Sequence, residues 1–147
     1  MEPHPDRAAN RVVLCVGSNT PGCIGTVDSV AERLCLMMHP HGEVLRSEVY
    51  TGPSHSGIGA DYANCVVEGS LTMTLADLAA LCRRMEREAG RTPQSKEQGI
   101  MPLDVDIVVW NGEVLRAFDY GSDHFRRGFT TLRVWCRREA SAPVRVP

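Results

Sequence analysis

Apolar residues recur at helical spacing in two segments of this chain. The first set is Val27, Val30, Ala31, Leu34 and Met38, and Thr26 before it is of a type that caps helices. A second apolar stripe runs from about Thr74 to Ala89, with Thr74 as a typical N-cap and Gly90 as a typical residue after the last turn. The pattern predicts two amphipathic helices.

Four other segments have the pattern of β-strands: Arg11–Gly17, Glu43–Tyr50, Tyr62–Gly69 and Pro102–Trp110. With the two helices they give the order βαββαβ, which is the split-βαβ, ferredoxin-like arrangement. We therefore predict an α+β fold in which an antiparallel sheet carries helices packed on one face. Beyond these elements, the Asn111-Gly112 pair predicts a turn and Thr130–Cys136 a short further strand.

Composition and charge narrow the class of protein. The chain has 147 residues, is 43% hydrophobic and carries a formal net charge of −2. We predict one domain over residues 11–137, with flexible tails at 1–10 and 138–147, and no nucleic-acid partner.

No apolar run approaches the ~20 residues of a membrane span. The cysteines form no C-x-x-C pair, which is typical of buried thiols in a reducing compartment, so we expect a cytoplasmic protein. We also expect a monomer or weak dimer.

The last predicted strand carries candidate chemistry. Its apolar residues are expected to share one face, so that Asp104 and Asp106 share the other, about 7 Å apart along the strand. The expected apolar set is Leu103, Val105, Ile107 and Val109. Two carboxylates this close raise each other's pKa unless a cation lies between them, and Mg²⁺ suits such a pair. The spacing also fits a solvated acidic pair, and by itself leaves both interpretations open.

Several short motifs occur in a fixed order around this strand. They are Val16-Gly17-Ser18-Asn19, Tyr50-Thr51-Gly52-Pro53, Asp61-Tyr62-Ala63-Asn64, Met85 to Arg91, Leu103 to Ile107, and Arg127-Gly128-Phe129. The set resembles the 6-hydroxymethyl-7,8-dihydropterin pyrophosphokinase family of folate biosynthesis. The resemblance extends from Arg11 to about Phe129.

The resemblance implies roles for the charged residues. Asp104 and Asp106 look like the pair that holds two Mg²⁺ ions with ATP, and Arg91 looks like a loop arginine that reaches the phosphates. Ile107 and Arg127 are implied nucleotide contacts. Glu86 is either a supporting acid near the metal or a solvated helix residue, and Arg91 has the alternative of a solvated helix end.

The same resemblance implies a pterin site at Pro53, Tyr62, Asn64 and Phe129. Asn64 has a physical reason to be there, because an amide offers both a donor and an acceptor to the edge of a pterin ring. Its alternative is an amide that the backbone satisfies. Phe129 is the implied stacking aromatic, whereas a phenylalanine after Arg-Gly is also typical of a core.

The chain departs from the family pattern in the loop before the aspartates. Met101 stands where the family carries an arginine, and Gln98 where it tends to carry a tryptophan. Lys96 is the one cation inside residues 92–101 and is expected to compensate in part. The family's Pro-His motif before Arg-Gly-Phe is also missing, and His124 lies nearby in a different register.

Three functions remain open from the sequence. The first is an enzyme that transfers pyrophosphate from ATP to the hydroxymethyl group of 6-hydroxymethyl-7,8-dihydropterin with Mg²⁺. The second is a weak or inactive relative that binds a pterin or nucleotide, which Met101 and Gln98 suggest. The third is a ferredoxin-like scaffold for protein or nucleic-acid contacts, because this fold serves many purposes.

Overall fold

A computed structural model describes residues 9–137. The strands of this part are β1 Asn10–Ser18, β2 Leu45–Arg46, β3 Tyr50–Gly52, β4 Tyr62–Leu71, β5 Asp104–Trp110, β6 Glu113–Val114 and β7 Arg133–Val134. The helices are α1 Cys23–Met38, α2 Leu75–Glu88, α3 Ser95–Gln98, α4 Ala117–Gly121 and α5 Asp123–Phe129, with a 3₁₀ turn at His39–His41. The predicted tails lie almost wholly outside the described residues.

The strands form one antiparallel sheet in the order β6-β5-β1-β4-β2-β7, and β3 also pairs with β4. The central strand β1 lies between β4 and β5. Its Gly17 is opposite Asn64 on one side and Asp104 on the other, and Cys15 is opposite Asp106. Paired residues point to the same face of a sheet, so the register brings Asn64 and both aspartates together. The predicted α+β class is confirmed.

The two long helices, α1 and α2, cover one face of the sheet, as the amphipathic stripes predicted. Leu34 and Leu78 of these helices pack on Leu14 in the main core. The short helices α4 and α5 lie on the opposite face, where Phe125 packs with Val66 in a smaller apolar cluster. These two helices cover only part of that face, and the rest of it carries the polar residues described below.

The boundaries of the two long helices test the capping predictions. Thr74 caps α2, since its hydroxyl accepts a hydrogen bond from the Asp77 N–H over 3.1 Å. The predicted start of α1 was wrong, because the helix begins at Cys23 rather than after Thr26. Gly22, with φ of 78°, provides the N-terminal turn, and its carbonyl accepts from the Thr26 N–H. A glycine cap without a polar side chain gives no capping signal in the sequence.

Two predicted strands are interrupted. The segment 43–50 divides into β2 and β3, because Ser47 N–H donates to the Val66 carbonyl while its hydroxyl accepts from the Val66 N–H. In β5 the pairing with β1 skips Val108, which forms a bulge. The bulge places Val109 against the smaller cluster, so its predicted place beside Leu103 and Val105 was wrong.

The Asn111-Gly112 turn is confirmed: both residues have positive φ, 49° and 79°, and they join β5 to β6. The further strand predicted over 130–136 is confirmed in its centre as β7, which pairs with β2. No helix within residues 9–137 is long and apolar enough to cross a membrane.

Candidate active site

A groove of about 850 Å³ opens on the face of the sheet that α4 and α5 leave uncovered. It follows β5, whose outer neighbour β6 pairs only with Val109 and Trp110. The stretch 104–107 of β5 therefore has a free edge, and the groove passes along this edge between α2 and the loop at 53–61. The sheet register determines the position of the groove, because the uncovered ends of the central strands form its floor.

Asp104 and Asp106 stand side by side on this floor, as predicted from their spacing. Burial, and next the charge of Asp104, raise the pKa of Asp106 to about 8. The side chain of Asp106 is only 19% exposed. The floor of the groove therefore carries a concentrated negative potential, which a cation would relieve.

Arg91 and Glu86 flank the pair on the side of α2. The Arg91 Nη1 atom lies 3.0 Å from Asp104 Oδ1 and 2.8 Å from Glu86 Oε2. The same Glu86 oxygen accepts a hydrogen bond of 2.9 Å from the Val105 N–H on the free edge of β5. Burial raises the pKa of Glu86, although the Val105 N–H and Arg91 act against this. Glu86 is thus part of the site rather than a solvated helix residue.

A second group of charges, not anticipated from the sequence, flanks Asp106 on the other side. Arg116 Nε lies 3.8 Å from Asp106 Oδ1 and also pairs with Asp119. His124 Nε2 lies 3.5 Å from Asp119 Oδ1, and burial lowers the pKa of His124. The imidazole of His55, from the 53–61 loop, has its centroid 5.6 Å from that of His124.

The other end of the groove is formed by Tyr62 and Asn64 of β4. Asn64 is 6% exposed, and its side-chain amide makes no hydrogen bond within residues 9–137. Since no fully buried side-chain N or O atom in this range lacks a partner, the amide atoms reach the surface of the groove. Its amide oxygen rests against Gly17, where an added Cβ would lie 3.0 Å from Oδ1. The amide is therefore placed at the groove with its donors and its acceptor available.

The loops 53–61 and 91–101 meet at Asn19, which follows β1. Its Nδ2 donates to the Gly99 carbonyl over 2.8 Å and to the Ala60 carbonyl over 3.3 Å. Its Oδ1 accepts from the Met101 N–H over 2.6 Å. One buried amide thus holds both loops at the rim of the groove.

The model of the 7,8-dihydro-6-hydroxymethylpterin-pyrophosphokinase family matches residues 13–139. The chain belongs to this family. A search of the curated proteins found no match.

Most of the residues that family resemblance assigned line the groove. They are Pro53, Tyr62, Asn64, Arg91, Lys96, Asp104, Asp106 and Ile107. Met101 lines it too and is 4% exposed, so an apolar side chain fills the place of the family arginine.

Two assigned residues lie elsewhere. Phe129 stacks on Phe125, with ring centroids 5.1 Å apart, in the smaller apolar cluster. Arg127 donates to the Thr51 carbonyl over 2.8 Å, and its guanidinium lies 5.2 Å from the centre of the Tyr50 ring. Neither side chain lines the groove, because α5 turns this part of the chain toward the sheet.

The donor set fits magnesium. Within the described residues no three His, Cys, Asp or Glu side chains converge in the way of a protein-only metal site. The aspartate pair instead offers two carboxylates with one raised pKa. Mg²⁺ is commonly held by one or two carboxylates and takes its other ligands from water and phosphate. Arg91 and Arg116 each approach one oxygen of one aspartate.

Proposed function

We propose that this protein transfers pyrophosphate from ATP to the hydroxymethyl group of 6-hydroxymethyl-7,8-dihydropterin, with Mg²⁺ as cofactor. One observation carries the proposal: Asp104, Asp106 and the Asn64 amide, which has no hydrogen-bond partner among residues 9–137, face one groove in a member of this family. The sheet register thereby supports a phosphate site and a heterocycle site next to each other.

In this proposal Asp104 and Asp106 would hold two Mg²⁺ ions together with ATP. The bound ions would neutralise the triphosphate and orient the displacement. The pterin hydroxyl oxygen forms a bond to the β-phosphorus, the bond from that phosphorus to the α,β-bridging oxygen breaks, and AMP leaves. The hydroxyl proton passes to solvent. Arg91 contributes positive charge from the side of α2.

The heterocycle is held in this proposal by Asn64 and Tyr62. An amide with both donors and its acceptor available matches the alternating donor and acceptor groups of a pterin edge. Tyr62 provides a flat side chain next to it, and burial raises the pKa of its hydroxyl, so this hydroxyl stays protonated at neutral pH. The loop 53–61 would cover the ring, since Pro53 and Ile58 line the groove from above the floor.

Met101 favours a second candidate, a protein that binds the same ligands with little turnover. An arginine near the leaving phosphates stabilises charge that develops in the transition state, and a buried methionine has no charge to offer. Arg83 on α2, Lys96 on α3 and Arg116 on the opposite wall are the other arginine and lysine residues that line the groove beside Arg91, within residues 9–137. Loss of such a group lowers the rate more than the ligand affinity.

The test incubates the purified protein with ATP, Mg²⁺ and the hydroxymethyl-dihydropterin, and measures AMP and the pterin pyrophosphate ester by chromatography. We expect the two products in equal amounts. Asp104→Asn and Asp106→Asn should each reduce the rate more than about 100-fold, because each removes a metal ligand. Asp77→Asn, at an exposed position of α2 outside the groove, is the matched control and should retain the wild-type rate.

The outcomes separate the two candidates. Absence of AMP above the protein-free reaction would overturn the transfer activity. Calorimetric binding of pterin and nucleotide in that case would support the second candidate. Binding of neither ligand would overturn both.

A further inference from the structure

One nitrogen of the Arg91 guanidinium contacts two carboxylates in this site. Arg91 Nη1 lies between Glu86 Oε2 at 2.8 Å and Asp104 Oδ1 at 3.0 Å. The side chains of Arg91 and Asp104 are about one-third exposed, whereas that of Glu86 is 12% exposed. The contact with Asp104 is thus the more accessible of the two.

Glu86 is fixed independently of Arg91. Its Oε2 accepts the Val105 N–H, a backbone donor on the part of β5 that has no strand on its outer side. A buried donor of this kind needs a partner, so the carboxylate completes the edge of the sheet. Glu86 therefore keeps its position when Arg91 loses its contact with Asp104.

Two arginines face four carboxyl groups around the pair in the absence of a metal. Asp104, Asp106 and Glu86 face Arg91 and Arg116, and Asp119 in turn holds Arg116. A divalent ion on the aspartates would stand close to the Arg91 guanidinium, and two positive charges at this distance repel each other. Ion and guanidinium therefore compete for Asp104.

We propose that Arg91 is an exchangeable counter-ion of Asp104, with Glu86 as its positioning residue. Without a divalent ion Arg91 bridges both carboxylates, and with one it leaves Asp104 and remains on Glu86. Glu86 would then hold the guanidinium beside the metal. The inference rests on the metal site of the proposed function.

The test is Mn²⁺ binding by electron paramagnetic resonance, without nucleotide or pterin, at low salt. Arg91→Gln should tighten Mn²⁺ binding about fivefold, because the competing charge is gone. Glu86→Gln should weaken it by a similar factor, because Arg91 then stays on Asp104. In the Arg91→Gln background, Glu86→Gln should have a much smaller effect, since its action passes through Arg91.

Glu88→Gln, an exposed position on the same helix, removes the same charge and should change the affinity little. Thermal unfolding of each variant without metal shows whether it is folded. If Glu86→Gln does not fold, the comparison of Arg91→Gln with Arg91→Lys still tests the proposal. The Arg91→Lys variant retains the positive charge, so it should bind Mn²⁺ no more tightly than the wild type.

The results distinguish a failure of the counter-ion proposal from a failure of the metal site. A wild type without Mn²⁺ affinity overturns the metal site and the counter-ion together. Mn²⁺ binding that Arg91→Gln leaves unchanged overturns the counter-ion alone. Equal effects of Glu86→Gln in both backgrounds would show that Glu86 acts by its own charge, and would overturn its positioning role.

Discussion

Replacement of Asp106 by asparagine should stabilise the metal-free protein at neutral pH. Burial and the neighbouring Asp104 raise the pKa of Asp106 to about 8 in the folded state, whereas an aspartate in an unfolded chain has a pKa of about 3.9. The folded state therefore keeps this proton up to about pH 8 and the unfolded state releases it near pH 4. Stability falls with rising pH in this window, because the folded state binds more protons there.

The magnitude follows from the same two pKa values. At pH 7 the unfolded side chain has been ionised for about three pH units, and each unit is worth about 1.4 kcal/mol, which gives an upper limit of about 4 kcal/mol. The side chain of Asp106 is 19% exposed, so solvent screens part of this cost. We expect Asp106→Asn to raise the free energy of unfolding by about 1–2 kcal/mol at pH 7.

Urea unfolding with a chelator, at about pH 5 and about pH 8, measures this difference. The gain of the variant over the wild type should be larger at the higher pH, because the cost of keeping a proton on folded Asp106 that the unfolded chain has released rises with pH up to about 8. Mg²⁺ should then stabilise the wild type and leave Asp106→Asn unchanged, since a ligand of the folded state raises stability. Asp61→Asn, at an exposed position, is the control and should show no such gain. A gain that is equal at both pH values would refute the reasoning.

Three further substitutions test the positioning of the groove. Gly17→Ala should weaken pterin binding with little effect on nucleotide binding, measured by calorimetry, because the new Cβ would lie 3.0 Å from Asn64 Oδ1. Asn19→Ala should increase amide hydrogen exchange in both loops at once, since this amide joins Ala60 and Gly99; protection that falls in one loop only would contradict the shared contact. Gly128→Ala should lower the free energy of unfolding by about 1–3 kcal/mol, because the added Cβ would lie 2.6 Å from Tyr50 and Val66; an unchanged urea midpoint would contradict the close packing of α5.

Elements with a long amphipathic pattern were predictable from the sequence. The stripe of α2 and the alternation around Asp104 and Asp106 each extend over enough residues to define a face. Where the pattern failed, a local backbone feature intervened. The bulge at Val108 shifts Val109 to the other face, and nothing in an apolar run of this kind indicates where a bulge occurs.

Site residues were predictable from the sequence where both their chemical type and their spacing along one strand indicate a site. They were not predictable where residues far apart in the sequence come together. The role of Asn19 depends on loops that lie 41 and 80 residues further along the chain. Arg116, Asp119 and His124 lie in or beside helices of five and seven residues, which are too short to show a period. Phe129 belongs to a recognised motif, but the face that α5 presents to the sheet is set by packing with Phe125.

One face of the sheet is covered at one end of β1 and open at the other, and this explains where the groove lies. Val13, Cys15 and Gly17 point to this face in succession along β1. At Val13 the face is covered by the cluster around Phe125, and at Gly17 it lies open beneath Asn64 and Asp104. Cys15, between them, is buried beside Asp106, and burial together with the aspartate charges raises its pKa well above the ordinary value. The neutral thiol thus covers one side of Asp106 with an apolar group, which helps to exclude water from this carboxyl and so contributes to the raised pKa that makes a cation favourable there.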